Sequence, residues 1–204
     1  MKNQFIVIEG LDGAGKTTQI RLLREALEEK GVRVHVSTEP TEYESGKALR
    51  RVLSGEEKKS VCEIATMFTL DRIAHNVHPT EGIEALLESG VDVICDRYYY
   101  SSLANQGSST SYEWVKSLNL DCPEIRRPDI CIFLDLTPEQ SLERISKGRE
   151  SVEIYENLET LTKVRNKFLS VINDLSSTDN IRIIDGYRAP DEVAKDIAEI
   201  VGKL

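Results

Sequence analysis

The sequence lacks the features that mark several classes of protein. No apolar run approaches the roughly 20 residues that an α-helix needs to cross a bilayer. The first apolar stretch stops at Ile8, so the amino terminus has no signal-peptide pattern. There is no internal repeat, no low-complexity tract and no long linker. We therefore expect no association with membranes and one compact domain over residues 1–204.

Positive charge is also scarce. The chain has 26 lysines and arginines against 35 acidic residues, which gives a formal net charge of −9. Proteins that bind nucleic acid or acidic membranes usually need a basic face that displaces counterions. We therefore expect neither kind of partner, and any anionic ligand must be held by a local cluster of cations.

Cysteine pairs are missing as well. The four cysteines, Cys62, Cys95, Cys122 and Cys131, form no C-x-x-C motif. Two of them lie in apolar, strand-like runs, where cysteine behaves as a small hydrophobic residue. This usage is typical of a reducing compartment, so a cytoplasmic location is expected.

One glycine-rich stretch carries most of the chemical information. It lies between the apolar run at residues 5–8 and a helical pattern that begins near Ile20, and it has the spacing G-x-x-x-x-G-K-T. Glycines at this spacing let backbone N–H groups curl around phosphates, the lysine reaches the terminal phosphates, and the threonine hydroxyl binds Mg²⁺. The helix N-terminus adds partial positive charge. The predicted ATP-binding residues are Gly10, Leu11, Asp12, Gly13, Ala14, Gly15, Lys16, Thr17 and Thr18, with Lys16 expected to be exposed in the loop and Thr17 at the metal.

Apolar runs alternate with helical patterns along the whole chain. Strands are predicted at about Gln4 to Glu9, Val32 to Val36, Val91 to Cys95, Ile130 to Asp135 and Ile181 to Asp185. Near-continuous apolar runs such as the fourth are typical of buried parallel strands. The expected fold is α/β, a five-stranded parallel sheet flanked by helices, of the P-loop NTPase type.

Two predicted helices carry apolar stripes. In the helix from Ser60 to about Val77, Phe68 and Arg72 are four residues apart and share a face, and a buried arginine needs an anionic or hydrogen-bonding partner. In the helix from Glu156 to Leu175, the stripe is interpreted as core and nothing more. Its members are Leu158, Leu161, Val164, Phe168 and Ile172.

Charged residues follow the third strand and the helix after the fourth. Asp96 at the strand end resembles the second acidic site of P-loop enzymes, where a carboxylate organises Mg²⁺ through water, and Arg97 beside it can face phosphates. Arg144, Lys147 and Arg149 form a basic cluster at the end of the predicted helix. Helix-dipole complementation explains part of this cluster, and a mobile lid at about residues 144–157 explains it better in a phosphate-handling protein.

Three functions fit a nucleotide cradle in a small domain. A guanine-reading switch needs an Asn/Thr-Lys-x-Asp motif, whereas here Asn166-Lys167 is followed by Phe168-Leu169. A slow ATPase that binds a protein or a membrane predicts basic or amphipathic anchoring segments, which are not found. The basic lid and a second site with an aromatic residue and arginines favour phosphate transfer to a small acceptor.

The sequence resembles the thymidylate kinase family over essentially its whole length. Four segments carry the resemblance in order: Gly10 to Thr18, Glu39-Pro40, Phe68 to Arg72, and Asp96-Arg97-Tyr98 with Ser101-Ser102 and Gln106-Gly107. The lid segment fits more loosely. The resemblance implies MgATP as donor, dTMP as acceptor, dTDP and ADP as products, and commonly a homodimer; another small-molecule P-loop kinase with a different nucleotide acceptor is the alternative.

The resemblance also implies roles for individual residues. Phe68 would stack on thymine and Arg72 would hydrogen-bond its edge, while Arg97 would clamp the acceptor phosphate and Asp12 would accept a hydrogen bond from the 3′-hydroxyl. The dTMP-binding set implied is Asp12, Glu39, Pro40, Phe68, Arg72, Arg97, Ser102, Gln106 and Tyr155. The catalytic set is Lys16, Arg97, Arg144 and Arg149, because Gly13 and Ala14 occupy the loop positions where some relatives carry a catalytic arginine.

Two positions depart from the family pattern. Thr38 stands where many relatives have an arginine, so Arg50 or Arg51 is expected to replace that phosphate contact. Asn105 stands where relatives often have an aromatic residue that fills the space of a ribose 2′-hydroxyl, although Tyr99 or Tyr100 could move in and restore that exclusion.

Overall fold

The computed structural model describes residues 3–148 and 158–202. The strands in these ranges are β1 Phe5–Gly10, β2 Val34–Thr38, β3 Asp92–Asp96, β4 Ile130–Asp135 and β5 Ile181–Asp185. The helices are α1 Lys16–Glu29, α2 Glu44–Leu53, α3 Val61–Val77, α4 Ile83–Glu88, α5 Tyr99–Ser109, α6 Tyr112–Leu120, α7 Pro138–Gly148, α8 Leu158–Leu175 and α9 Pro190–Val201.

The five strands form one parallel sheet in the order β2-β3-β1-β4-β5. The predicted α/β fold with a five-stranded parallel sheet is confirmed. β1 lies at the centre and is buried along its whole length. Its register pairs Ile8 with Asp96 and Gly10 with Leu134, so the carboxyl ends of three strands meet at one edge. Ligands of such sheets bind outside this edge, where the strand order reverses.

Helices cover both faces of the sheet with separate apolar clusters. On one face, α1 packs beside α9, and Ile20, Leu23 and Leu27 lie with Val193 and Ile197. On the other face, α3, α5 and α8 cover the sheet. There the ring of Phe133 on β4 lies 5.3 Å from that of Phe168 on α8. The sheet is therefore enclosed on both sides, as its apolar strands require.

Local signals fix several helix ends. Ser60 and Glu63 form a capping box at the start of α3, and Thr137 and Gln140 exchange the equivalent hydrogen bonds at α7. Pro190 occupies the first turn of α9, as expected. All four cysteines are free thiols. No helix within residues 3–148 or 158–202 is long and apolar enough to cross a membrane.

Candidate active site

The glycine-rich loop runs from the end of β1 to the start of α1. A Cβ at Gly10, whose φ is +149°, would lie 2.7 Å from the Leu134 carbonyl oxygen. A Cβ at Gly13, whose φ is +77°, would lie 3.0 Å from the Ser141 carbonyl oxygen. Both positions combine a close backbone approach with a conformation that side chains rarely adopt, so the loop tolerates only glycine there.

The sequence predicted that Lys16 is exposed in the loop, and this prediction was wrong. Lys16 is the first residue of α1 and is 8% exposed, and its ammonium donates hydrogen bonds to the carbonyl oxygens of Gly10 and Leu11, each at 3.2 Å. Burial lowers the pKa of Lys16 from its usual range, and the nearby Arg97 charge lowers it further. The ammonium therefore holds the loop in its curled form, and Lys16 lines the cleft in front of the loop.

A phosphate cleft of about 480 Å³ opens in front of the loop. Of the predicted ATP-binding residues, Asp12, Gly13, Gly15, Lys16, Thr17 and Thr18 line it, together with Asp96, Arg97 and Arg144. Leu11 and Ala14 are buried instead, and the N–H of Ala14 is bonded to the Leu11 carbonyl at 3.2 Å. Gly10 lies behind the cleft, at the end of β1.

Helix α7 holds the loop from the opposite side. The Ser141 hydroxyl donates to the Asp12 carbonyl at 2.6 Å. One turn later, the Arg144 Nη1 lies 3.5 Å from the carbonyl oxygens of Gly13 and Ala14, and its guanidinium carbon lies 5.3 Å from the Tyr187 ring centre. Arg144 thus lies at the wall of the phosphate cleft. Arg149 and Tyr155 lie outside the described residues, as does most of the predicted lid.

The residues around Asp96 fit a hydrated Mg²⁺. Its Oδ1 is buried and has no hydrogen-bond partner among the described residues, and Asp96 shares the cleft wall with Thr17. Mg²⁺ keeps several waters and takes few protein ligands besides substrate phosphates. The described ranges contain no cluster of three or more ligating side chains. One carboxylate and one hydroxyl beside a phosphate site are what such an ion requires.

An adjoining cavity of about 410 Å³ lies between α3, α5 and α8, and we call it the acceptor cavity after the ligand predicted for its residues. Eight of the nine residues predicted for the acceptor line it: Asp12, Glu39, Pro40, Phe68, Arg72, Arg97, Ser102 and Gln106. Asn105 lines it too. The half-buried Phe68 and the buried Arg72 lie on the same helix, as their spacing predicted.

Arg72 pairs with Glu39, which confirms the prediction that an arginine on an apolar stripe has an anionic partner. It is 1% exposed, and its Nε and Nη2 lie 2.8 and 2.6 Å from Glu39 Oε2. Its remaining donors reach Ser102 Oγ at 3.3 Å and the side chain of Asn119. The other oxygen of Glu39 lies 3.0 Å from His75 Nδ1. This network fixes the guanidinium at the base of the cavity.

Arg97 lies in the walls of both cavities. Its backbone is left-handed, with φ of 69°, which is rare for a residue with a side chain. Its Nη2 lies 2.5 Å from Asp12 Oδ1, and its Nη1 lies 3.3 Å from Ser101 Oγ. Strained backbones of this kind concentrate at functional sites. Arg97 is therefore placed to contact ligands in either cavity.

The interpretation of the α8 stripe as core and nothing more was wrong. Leu161, Val164 and Phe168 also line the acceptor cavity, while Leu158 is 43% exposed. The turns after Leu158 meet the cavity because α8 packs against α5.

The expected replacements for the missing arginine also differ from the structure. Arg50 donates to the carbonyl oxygens of Pro40 and Thr41, and Arg51 pairs with Glu57. Neither lines the acceptor cavity, because the loop backbone and a neighbouring carboxylate already engage them.

Tyr99 and Tyr100 do not line the acceptor cavity beside Asn105. Both are buried, and both hydroxyls donate to Asp179 Oδ2. The space beside Asn105 is therefore not filled by either tyrosine.

The parallel sheet, the glycine-rich loop and the phosphate cleft define a P-loop nucleotide-binding protein. The family model described as "Thymidylate kinase" matches residues 8–197. The thymidylate kinase of Leptospira borgpetersenii is 38% identical over 200 residues, which cover 96% of this chain and 92% of that protein. The chain belongs to the thymidylate kinase family.

Two further relatives show the same likeness. The probable thymidylate kinase of Pyrococcus horikoshii is 37% identical over 207 residues, covering 98% of this chain and 97% of that protein. That of Methanococcus aeolicus is 41% identical over 175 residues, covering 84% and 81%. The resemblance found in the sequence is confirmed.

Proposed function

We propose that the chain transfers the γ-phosphoryl group of ATP to the phosphate of dTMP, giving dTDP and ADP. Family membership supports the reaction, and the observation that carries it to these residues is the position of Arg97 in the walls of both cavities. The P–O bond between the β- and γ-phosphates breaks, and an oxygen of the dTMP phosphate forms the new bond to the γ-phosphorus. Because Arg97 lines both cavities, its guanidinium is suited to bind the γ-phosphate of ATP and the phosphate of dTMP.

Positioning and charge stabilisation account for most of the catalysis in phosphoryl transfer. Lys16 binds the β- and γ-phosphates from the loop side, and Arg97 orients the acceptor phosphate. Arg144, at the cleft wall, supplies the charge that other enzymes obtain from an arginine finger. Arg149 of the lid is assigned to the same task.

Binding in the acceptor cavity positions the second substrate. Phe68 stacks on thymine, Arg72 hydrogen-bonds its edge in place of the 3.3 Å contacts with Ser102 Oγ, and Asp12 accepts from the 3′-hydroxyl. Glu39, Pro40, Ser102, Gln106 and Tyr155 complete this site.

The metal is held by the chain at two points. Thr17 would hold Mg²⁺ through its hydroxyl, and Asp96 would hold it through water. When bound with ATP, the ion neutralises charge on the β- and γ-phosphates. The unpartnered Oδ1 of Asp96, among the described residues, supports this assignment.

A coupled ADP-release assay with MgATP tests the proposal. The acceptors are dTMP, dUMP, dCMP, dGMP and AMP, each at the same concentration, with a reaction lacking acceptor as the control. We expect turnover with dTMP well above the other acceptors and little ADP release without one. Comparable turnover with all acceptors points to a broader kinase, and acceptor-independent ADP release points to an ATPase.

We further infer a homodimer in the cytoplasm. Leu70 and Val77, seven residues apart on α3, are 59% and 47% exposed and share one face of the helix. An apolar helix face of this kind supports contact with a second copy. The free thiols support a reducing compartment. Light scattering of the wild type and of Leu70→Glu tests the dimer, which the glutamate is expected to dissociate.

A further inference from the structure

Glu9 is a buried carboxylate near the carboxyl end of β1, and it lines neither cavity. It lies in β1, directly before Gly10, and is 1% exposed. In the sequence it reads as an ordinary residue near a strand end. Because burial of an unpaired charge is unfavourable, its partners indicate what it does.

Both carboxylate oxygens of Glu9 bind the start of α5. Oε1 accepts the backbone N–H groups of Tyr98 and Ser101 at 2.9 and 3.1 Å, and Oε2 accepts the Ser101 hydroxyl at 2.8 Å. The N-cap residue Tyr98 makes no side-chain capping bond of its own. Glu9 therefore caps α5 from another element, where a negative charge also complements the helix dipole.

The same contacts hold Arg97 at two points. The N–H of Arg97 donates to the Ile8 carbonyl at 3.1 Å, and the next N–H along the chain donates to Glu9. At the other end, Arg97 Nη1 lies 3.3 Å from the Ser101 hydroxyl that Glu9 binds. β1 thus holds the left-handed backbone of Arg97 directly and its guanidinium through Ser101.

Charge links Glu9 to the cations of both cavities. Burial raises the pKa of Glu9, while the Arg97 guanidinium opposes this increase and Lys16 does so more weakly. The carboxylate therefore interacts electrostatically with Arg97, which lines both cavities, and with Lys16 of the P-loop.

We propose that Glu9 is a positioning residue that fixes the Arg97 guanidinium against the acceptor phosphate, through the cap of α5 and the Ser101 hydroxyl. The inference rests on the proposed assignment of Arg97 to that phosphate. Glu9 connects Arg97 to β1, the strand that leads into the P-loop. The residues that bind the two phosphates are therefore fixed relative to each other. Glu9 itself does not touch substrate.

Glu9→Gln separates positioning from binding. The glutamine keeps one carbonyl oxygen for the two N–H groups but loses the charge and the second acceptor oxygen. Glu9→Gln removes a buried negative charge beside two cations, so we expect anionic nucleotides to bind at least as tightly as they bind the wild type. Arg97, however, is expected to be held less firmly. Since small misplacements of a reacting group lower rates steeply, we expect kcat to fall on the order of 10-fold, with KM for dTMP and ATP not raised.

Ser101→Ala removes only the hydroxyl link and is expected to lower kcat less. The double variant should be little worse than Glu9→Gln alone, because both changes break the same connection. Asp92→Asn is the matched control. Asp92 is also a buried strand carboxylate that accepts a backbone N–H, from Gln4 at 3.1 Å, but it lies at the opposite edge of the sheet. Its variant is expected to lower Tm and leave kcat unchanged.

Arg97→Ala separates failure of the inference from failure of the assignment on which it rests. If Arg97→Ala loses activity while Glu9→Gln keeps wild-type kcat, Glu9 has no positioning role. The inference is also overturned if Glu9→Gln raises both KM values in step with its loss of Tm, because that pattern reports general damage. Wild-type activity in Arg97→Ala instead rejects the assignment of Arg97 to the acceptor phosphate.

Discussion

Replacement of Arg72 by alanine affects both substrate binding and stability. Arg72 is buried, and its loss leaves the carboxylate of Glu39 with His75 as its remaining side-chain partner. Removing one partner of a buried ion pair costs about 3–5 kcal/mol. For a chain of this size each kcal/mol lowers Tm by about 2–4 °C, so the expected decrease is roughly 6–20 °C.

Phe68→Ala provides the comparison at the same cavity. Phe68 is half-buried, and its loss leaves no charge without a partner. Loss of base stacking is expected to weaken dTMP by about 1–3 kcal/mol, by analogy with nucleic-acid complexes. That is roughly a 5- to 150-fold increase in Kd for dTMP, with a smaller change in Tm.

Differential scanning fluorimetry and calorimetric titration with dTMP and an ATP analogue measure these effects. We expect both variants to weaken dTMP and spare the ATP analogue. Arg51→Ala is the matched arginine control, because the Arg51 side chain is 48% exposed and pairs with Glu57, and neither residue lines the cavity. If Arg72→Ala keeps Tm within about 2 °C of wild type, the buried pair does not stabilise the fold. Equal weakening of both ligands refutes the placement of the acceptor site.

Three further predictions concern the phosphate cleft and the sugar. Lys16→Ala should lower kcat on the order of 10²–10³ while circular dichroism shows a folded protein, and near-normal kcat would contradict the kinase assignment. Arg144→Ala should lower kcat more than it raises KM for dTMP, because the negative charge that Arg144 faces is greatest in the transition state. Unchanged kcat in steady-state assays would exclude Arg144 as the catalytic arginine. With no clash at Asn105, the wild type should prefer dTMP over ribothymidine monophosphate by no more than the order of 10² in kcat/KM, and Asn105→Tyr should raise this preference. An unchanged ratio in the variant means that Asn105 does not face the 2′ position.

Local signals in the sequence predicted the elements of the fold. The run Ile130 to Asp135 and the glycine-rich stretch each carry their structure in neighbouring residues, so strand, loop and helix could be placed. Lys16 was misplaced because a Gly-Lys-Thr sequence reads as loop, whereas α1 already begins at the lysine.

Contacts between distant residues could not be predicted in the same way. The sequence required a partner for Arg72 but did not identify Glu39, which lies 33 residues away. Glu9 reads as a strand residue, and its contact with Ser101 spans 92 residues. Such pairs depend on the packing of whole elements, which periodicity does not encode.

The ion pair between Asp12 and Arg97 has a consequence for how a phosphate enters. Asp12 is largely exposed, so the pair adds little stability and is easily exchanged. Under the proposed roles, an incoming phosphate displaces the carboxylate, which then turns to the sugar hydroxyl of the same substrate. In the free protein, the Asp12 carboxylate thus competes with the phosphate for the Arg97 guanidinium. An oxyanion without a sugar, such as sulfate, displaces Asp12 but gives it no new partner, so the exchange favours a nucleotide.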